Sequence, residues 1–219
     1  MTDGDPRAAI LAACRAVNAR GLNQGTSGNV SVRDGAGMLI TPSGIPYDEV
    51  TPAMIVPVDG EGRPSGPLRP SSEWRMHLDI YRSRPAAAAV VHVHSPYATA
   101  LSCHRRGIGA FHYMVAVAGG ADIRCAGYAT FGTQALSDAM LTALEGRRAC
   151  LLANHGQIAF GPTLAKALWL AGEVEALARQ YVLARALGEP ITLGDAQMAE
   201  VLDAFAEYGR QPSRVAETP

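Results

Sequence analysis

The chain has 219 residues, a formal net charge of -1 and 48% hydrophobic residues. That length supports a packed core, and the balanced charge excludes an electrostatic case for binding nucleic acid or an anionic membrane. Lys166 is the single lysine, so Schiff-base chemistry rests on it alone, and a GxxxxGK[ST] phosphate loop is absent.

The four cysteines, Cys14, Cys103, Cys125 and Cys150, form no C-x-x-C pair. They read as buried thiols of a reducing cytoplasm rather than zinc or redox ligands. The start, MTDGDPRAAI, is acidic and polar, unlike a signal peptide. Apolar runs fall short of the ~20 residues of a membrane span.

Asp5 and Pro6 open a capped helix that Gly21 stops. GTSGN (25–29) is a small-residue loop. NVSVR and GMLIT are strands around a Gly-rich turn, TPSGIPYDEV is a loop, and MIVPVD is another strand. The segment 60–70 is a turn, and 71–84 is a helix that Ser71 or Ser72 can cap. AAAVVHVHS is a buried strand, SPYATALSCHRR a helix, and 107–130 irregular. GTQALSDAMLTALEG is a helix, RACLLANHG and QIAFG are strands, and 163–188 and 194–208 are helices. Leu164, Leu168, Ala171 and Val174 mark one face of the longest helix, continued by Leu177, Ala178 and Tyr181. Short turns between strands favour a mixed or mainly antiparallel sheet covered by helices. We expect one domain over 1–219, with a mobile tail from about 209.

His92 and His94 are spaced i, i+2 on a predicted strand, so both imidazoles project from one face. His155, where a strand meets a turn, is a third candidate. Three neutral histidines leave a position for water or substrate, as in a catalytic zinc site. An H-x-H pair alone is weak evidence, because buried histidines also bond to backbone or carboxylate. His77 lies one turn after Glu73 and can simply pair with it. His104 reads as solvated, and His112 as structural or as orienting Tyr113.

GTSGN, TPSG and PSSE each combine small residues with amide and hydroxyl donors, which suits a nest for a phosphate. Ser71 and Ser72 stand at a helix N-terminus, where unpaired N–H groups favour an anion. Ordinary turns and a cap explain the same residues. Glu73 beside them is either a helix-end charge or a general base or metal ligand.

Taken in chain order, GTSGNVSVR, LITPSGIPYDEV, PSSEWRMH, VVHVHSPYATAL, HYMVAVAGG, YATFGT, NHGQIAFG and KALWLAGEVEALA resemble the class II aldolase/adducin family over residues 20 to 180. HYMVAVAGG, YATFGT and the FAEYG tail resemble its fuculose-phosphate aldolase branch. The resemblance implies a three-layer α/β/α sandwich around a mainly antiparallel sheet. It also implies a homotetramer with active sites between subunits. It places a divalent metal, zinc before manganese, cobalt or iron, on His92, His94 and His155. Glu73 becomes a fourth ligand or the acid/base. Gly28, Asn29, Ser43, Gly44, Ser71 and Ser72 hold the substrate phosphate. Tyr113 reaches the neighbouring subunit's site as a catalytic group, and Phe131 and Tyr208 line the aldehyde side.

The implied reaction is reversible cleavage of a ketose 1-phosphate to dihydroxyacetone phosphate and an aldehyde. Ser27 and Ser43 depart from the fuculose-phosphate pattern and leave the aldehyde half open. L-fuculose 1-phosphate, a 5-deoxypentulose 1-phosphate or 5-methylthioribulose 1-phosphate all fit. Epimerase, dehydratase and decarboxylase relatives share the site, and a non-catalytic adducin-like module is a further reading. Lys166 lies in the longest helix, apart from the phosphate loops and the histidines, and reads as a solvated charge.

Overall fold

The computed structural model describes residues 4–207. The tail expected from about 209, and Tyr208, lie outside the described residues. Helix α1 (Pro6–Ala19) begins as anticipated, with the Asp5 carboxylate accepting the Arg7 N–H and Pro6 in the first turn. Strands β1 (Asn29–Asp34) and β2 (Gly37–Ile40) form a hairpin, and β3 (Val56–Val58) adds to β2. Then come α2 (Trp74–Ser83), β4 (Ala89–Val93) and α3 (Pro96–Cys103). The chain continues with β5 (Cys125–Ala126), α4 (Gln134–Ala143), β6 (Ala149–Leu152) and β7 (Gly156–Gly161). The helices α5 (Leu164–Ala186) and α6 (Asp195–Glu207) follow.

The strands make one seven-stranded sheet in the order β3-β2-β1-β4-β7-β6-β5. All pairs are antiparallel except β5 with β6. Alternation along each strand feeds two separate cores. Ala89, Val91 and Val93 of β4 join one core with α1, α3 and α5 residues such as Ile10, Ala98 and Val174. Val90 points the other way, into a core with Met76, Ile80 and Met140 of α2 and α4. Strands buried on both faces read as near-continuous apolar runs, which is why VVHV and ACLL carry so few polar residues. Each large side chain sealed in these layers contributes about 1.5–3 kcal/mol. The architecture is the expected three-layer sandwich.

Two polar contacts lock the corner where β4 turns into α3. Glu175 of α5 accepts the Tyr97 and Ala98 N–H groups, each at 2.9 Å, and so caps α3. The Gln157 amide donates to Ser95 Oγ at 2.8 Å and to the Ala171 carbonyl at 3.0 Å.

Three expectations need correction. The helix expected over 71–84 begins only at Trp74, because the Ser71 hydroxyl accepts the Glu73 N–H and holds 71–73 as a turn. The segment expected to be irregular contains a 3-10 helix, Tyr113–Ala118, and the edge strand β5. Cys14 and Cys150 are buried, but Cys103 at the end of α3 is exposed and Cys125 on the sheet edge is partly exposed.

Candidate active site

His92 sits in the middle of the sheet, opposite Asn29 of β1 and Ile158 of β7. His94 follows β4 by one residue. His155 occupies the β6–β7 turn, where Asn154 adopts a left-handed conformation (φ 55°) and the Ser102 hydroxyl accepts the His155 N–H. Glu73 precedes α2 and is buried. Three separate segments thus deliver four side chains to a common point, and one atom from each lies within 4.8 Å of the others. The Nε2 atoms of His92 and His94 are 3.1 Å apart. Glu73 Oε2 is 3.1 Å from His92 Nε2, and Glu73 Oε1 is 3.1 Å from His155 Nε2.

The chemistry of this set fits a cation. His92 Nδ1 meets the Gln157 carbonyl at 2.8 Å. A carbonyl only accepts, so that nitrogen carries the proton and Nε2 of the neutral ring presents a lone pair to the cluster. Glu73 Oε1 is buried and makes no hydrogen bond despite its proximity to His155. Ligands about 2.0–2.1 Å from a tetrahedral centre lie roughly 3.3 Å apart, close to the spacing seen. Three imidazoles and one carboxylate suit a transition metal better than magnesium.

Without a cation the groups perturb one another. Burial opposes a charge on Glu73, but His92 and His155 outweigh it and hold the carboxyl well below its usual range. Burial likewise opposes a charge on His92, and the Glu73 carboxylate and the Gln157 carbonyl outweigh it and raise its pKa. Burial and repulsion from His92 and His155 push His94 down to about 3.

A cavity of about 330 Å³ opens beside the cluster. Its wall includes Gly28, Asn29, Ser43, Gly44, Ser71 and Ser72, the residues assigned to phosphate from sequence. Glu73, His94, His155 and Phe131 complete it, together with Tyr128. The TPSG and PSSE loops lie side by side through a Pro42–Pro70 bridge, with Ser43 N–H donating to the Arg69 carbonyl. Gly28 has φ +71°, and a Cβ there would stand 2.6 Å from the His92 carbonyl oxygen. Glycine is therefore what lets the GTSGN loop lie against the histidine strand.

A family model described as Class II Aldolase and Adducin N-terminal domain matches residues 8–182. The chain belongs to the class II aldolase and adducin family. It is 54% identical over 203 residues to a 5-methylthioribulose-1-phosphate/5-deoxyribulose-1-phosphate aldolase of Rhodospirillum rubrum, covering 93% of this chain and 92% of that protein. It is 52% identical over 201 residues to the L-fuculose phosphate aldolase of Escherichia coli, covering 91% and 94%. Among solved structures, an L-fuculose 1-phosphate aldolase superposes with a TM-score of 0.90 at 42% identity, over 94% of this chain and 98% of that one. Relatives this close are aldolases, and the chain is an enzyme of that lyase class.

Not every residue singled out in this aldolase-family sequence lines the cavity. Tyr113 is half exposed and borders a different groove of about 740 Å³, with Val117, Trp169 and Phe205. His112 stacks on it, ring centroids 4.8 Å apart. Lys166 is exposed, borders that same second groove and sits 5.6 Å from the Trp169 ring, so it takes no part in the cluster. His77 does not pair with Glu73. Its ring instead meets Ser31 and Asn29.

Sequence reasoning missed Asn23 and Gln157. The Asn23 side chain accepts the His94 N–H at 3.2 Å and donates to the Ser27 carbonyl, tying the glycine loop to the histidines. No spacing announces that. Gln157 had a signal, a polar residue in the otherwise apolar QIAFG strand.

Proposed function

We propose that this aldolase cleaves a ketose 1-phosphate reversibly to dihydroxyacetone phosphate and a short aldehyde, with zinc as the first candidate for its metal. The supporting observation is the convergence of His92, His94, His155 and Glu73 beside a cavity walled by small-residue loops. Those four residues would hold the metal, which when bound supplies Lewis-acid polarisation of the substrate ketone. Manganese, cobalt and iron are the alternatives.

The loop amides and hydroxyls around Gly28, Ser43, Gly44, Ser71 and Ser72 would bind the phosphate and position C3 and C4 near Glu73. Asn29 has committed its amide oxygen to His77 and one N–H to Glu73, which leaves one N–H for the ligand. Glu73 rests deprotonated, the form that takes the C3 proton in the condensation direction. In cleavage the same carboxyl would first take a proton from solvent at the cavity and then deliver it to C3. Tyr113 from a neighbouring subunit would accept the C4 hydroxyl proton as the C3–C4 bond breaks. Its exposure, away from the cavity of its own chain, supports a homotetramer with sites shared between subunits. Phe131 at the cavity mouth would face the aldehyde tail. A sugar phosphate is retained within cells, so the reading places the enzyme in the cytoplasm. No helix among the described residues is long and apolar enough to cross a membrane.

The test is a panel of ketose 1-phosphates with hydroxylated, deoxy and methylthio tails, scored by dihydroxyacetone phosphate release. Release that a chelator abolishes supports the reading. Consumption without release points to an epimerase, dehydratase or decarboxylase and overturns it.

A further inference from the structure

Behind Glu73 runs a buried chain of side chains that reaches no solvent. Tyr81 OH lies 2.7 Å from Ser31 Oγ, and Ser31 Oγ lies 2.7 Å from His77 Nδ1. His77 Nε2 lies 2.5 Å from Asn29 Oδ1, and Asn29 Nδ2 lies 2.9 Å from Glu73 Oε2. Ser31, His77 and Asn29 are all at most 2% exposed. The last link sets the polarity of the rest. A carboxylate accepts only, so the Asn29 amide must turn its nitrogen to Glu73 and its oxygen to His77. That oxygen also only accepts, so His77 must carry its proton on Nε2. Nδ1 is then bare and accepts from Ser31, which accepts from Tyr81. All four hydrogen bonds point one way, toward Glu73.

We infer that His77 is a positioning residue, which as its Nε2–H form locks the Asn29 amide and so fixes the Glu73 carboxylate at the cavity. The inference rests on the aldolase reading for its effect on turnover, but not for its geometry. Burial holds His77 neutral, pushing it down to about 3, so one ring nitrogen stays free to accept. Remove the ring, and the Asn29 amide can turn over and present its oxygen to Glu73. The repulsion displaces a carboxylate that must reach C3. Groups that orient the residues around a metal typically change activity 10–100-fold when lost.

His77→Leu removes both hydrogen bonds at similar volume, whereas His77→Gln retains a donor near the Nε2 position. In the zinc-loaded enzyme, His77→Leu should lower kcat about 10–100-fold. Metal content should hold, and KM should change less than about threefold. His77→Gln should recover most of the lost kcat. An unchanged kcat in His77→Leu, or a stable His77→Gln that rescues nothing, overturns the inference. The second measurement is nitrogen-15 NMR of histidine-labelled wild-type enzyme, which reads the protonated ring nitrogen directly. Protonation on Nε2 supports the inference and protonation on Nδ1 overturns it, whether or not either variant folds. Absence of dihydroxyacetone phosphate release by wild type would sink the aldolase reading alone, leaving the NMR result to decide this one.

Discussion

Glu73 Oε1 and His155 Nε2 stand 3.1 Å apart in the wall of the cavity. Each turns its polar atom toward the point that His92 and His94 also face, an arrangement suited to a shared cation. The His92 ring repeats the pattern, with its proton committed to Gln157 on the far side. A purified sample should therefore carry about one transition-metal ion per chain. His92→Ala and His155→Ala should each lose most of it, read by elemental analysis. Metal should also raise the unfolding temperature of the wild type by mass action. Full occupancy in His92→Ala would remove His92 from the ligand set.

Glu73 has two candidate tasks that one substitution separates. Glu73→Gln keeps the shape and the three imidazoles, so the metal should remain. The amide cannot take a proton from C3, and loss of such a group typically costs 10²–10⁴-fold in rate. The measurement is kcat alongside metal content. Metal retained with wild-type turnover would leave Glu73 a ligand alone.

Much of this candidate site was legible in the chain because its residues obey short-range rules. The i, i+2 pair His92 and His94 needs only strand periodicity, and Ser71, Ser72 and Glu73 need only a helix start. The two-residue β5 was invisible, because Cys125–Ala126 is too short for alternation and exists only by pairing with β6. The His77–Asn29 contact spans 48 residues of sequence, and local spacing suggested Glu73 as the partner instead. Which polar groups meet across a sheet depends on strand order, and periodicity reports faces, not neighbours.

Gly28 should be intolerant of any side chain. Its φ of +71° disfavours L-residues, and an added Cβ would meet the His92 carbonyl oxygen at 2.6 Å and Asn23 Nδ2 at 2.9 Å. Gly28→Ala should cost at least about 1–3 kcal/mol from backbone strain. The loop must also shift away from the histidine strand, so KM for the phosphorylated substrate should rise. Chemical denaturation and steady-state kinetics test both parts. Unchanged stability and KM would show that the loop is not held in this conformation.

Stability should depend on pH through His77. Its folded pKa is about 3, against roughly 6.5 for a free histidine. Between those values the unfolded chain binds the proton and the folded one does not. The contribution is complete above the unfolded pKa and is lost as pH falls toward the folded one. Comparing wild type with His77→Gln isolates it from the metal ligands. Between about pH 4 and 6, the slope of unfolding free energy against pH should be smaller in the variant by up to one proton. Equal slopes would mean that His77 is protonated in the folded protein.

Tyr113 offers a test of the shared site. It is 51% exposed and borders a groove with Trp169 and Phe205, while Glu73 of the same chain lines the other cavity. If each site takes Glu73 from one subunit and Tyr113 from the next, Tyr113→Phe and Glu73→Gln chains are each nearly inactive alone. Both defects act at the proton steps, so each should lower kcat by about 10²–10⁴ while leaving metal bound. In a ring co-assembled from equal amounts of the two, about a quarter of the interfaces pair an intact Glu73 with an intact Tyr113. Co-refolded mixtures should therefore recover about a quarter of wild-type activity. Recovery no greater than the sum of the separate variants would show that Tyr113 does not act across an interface.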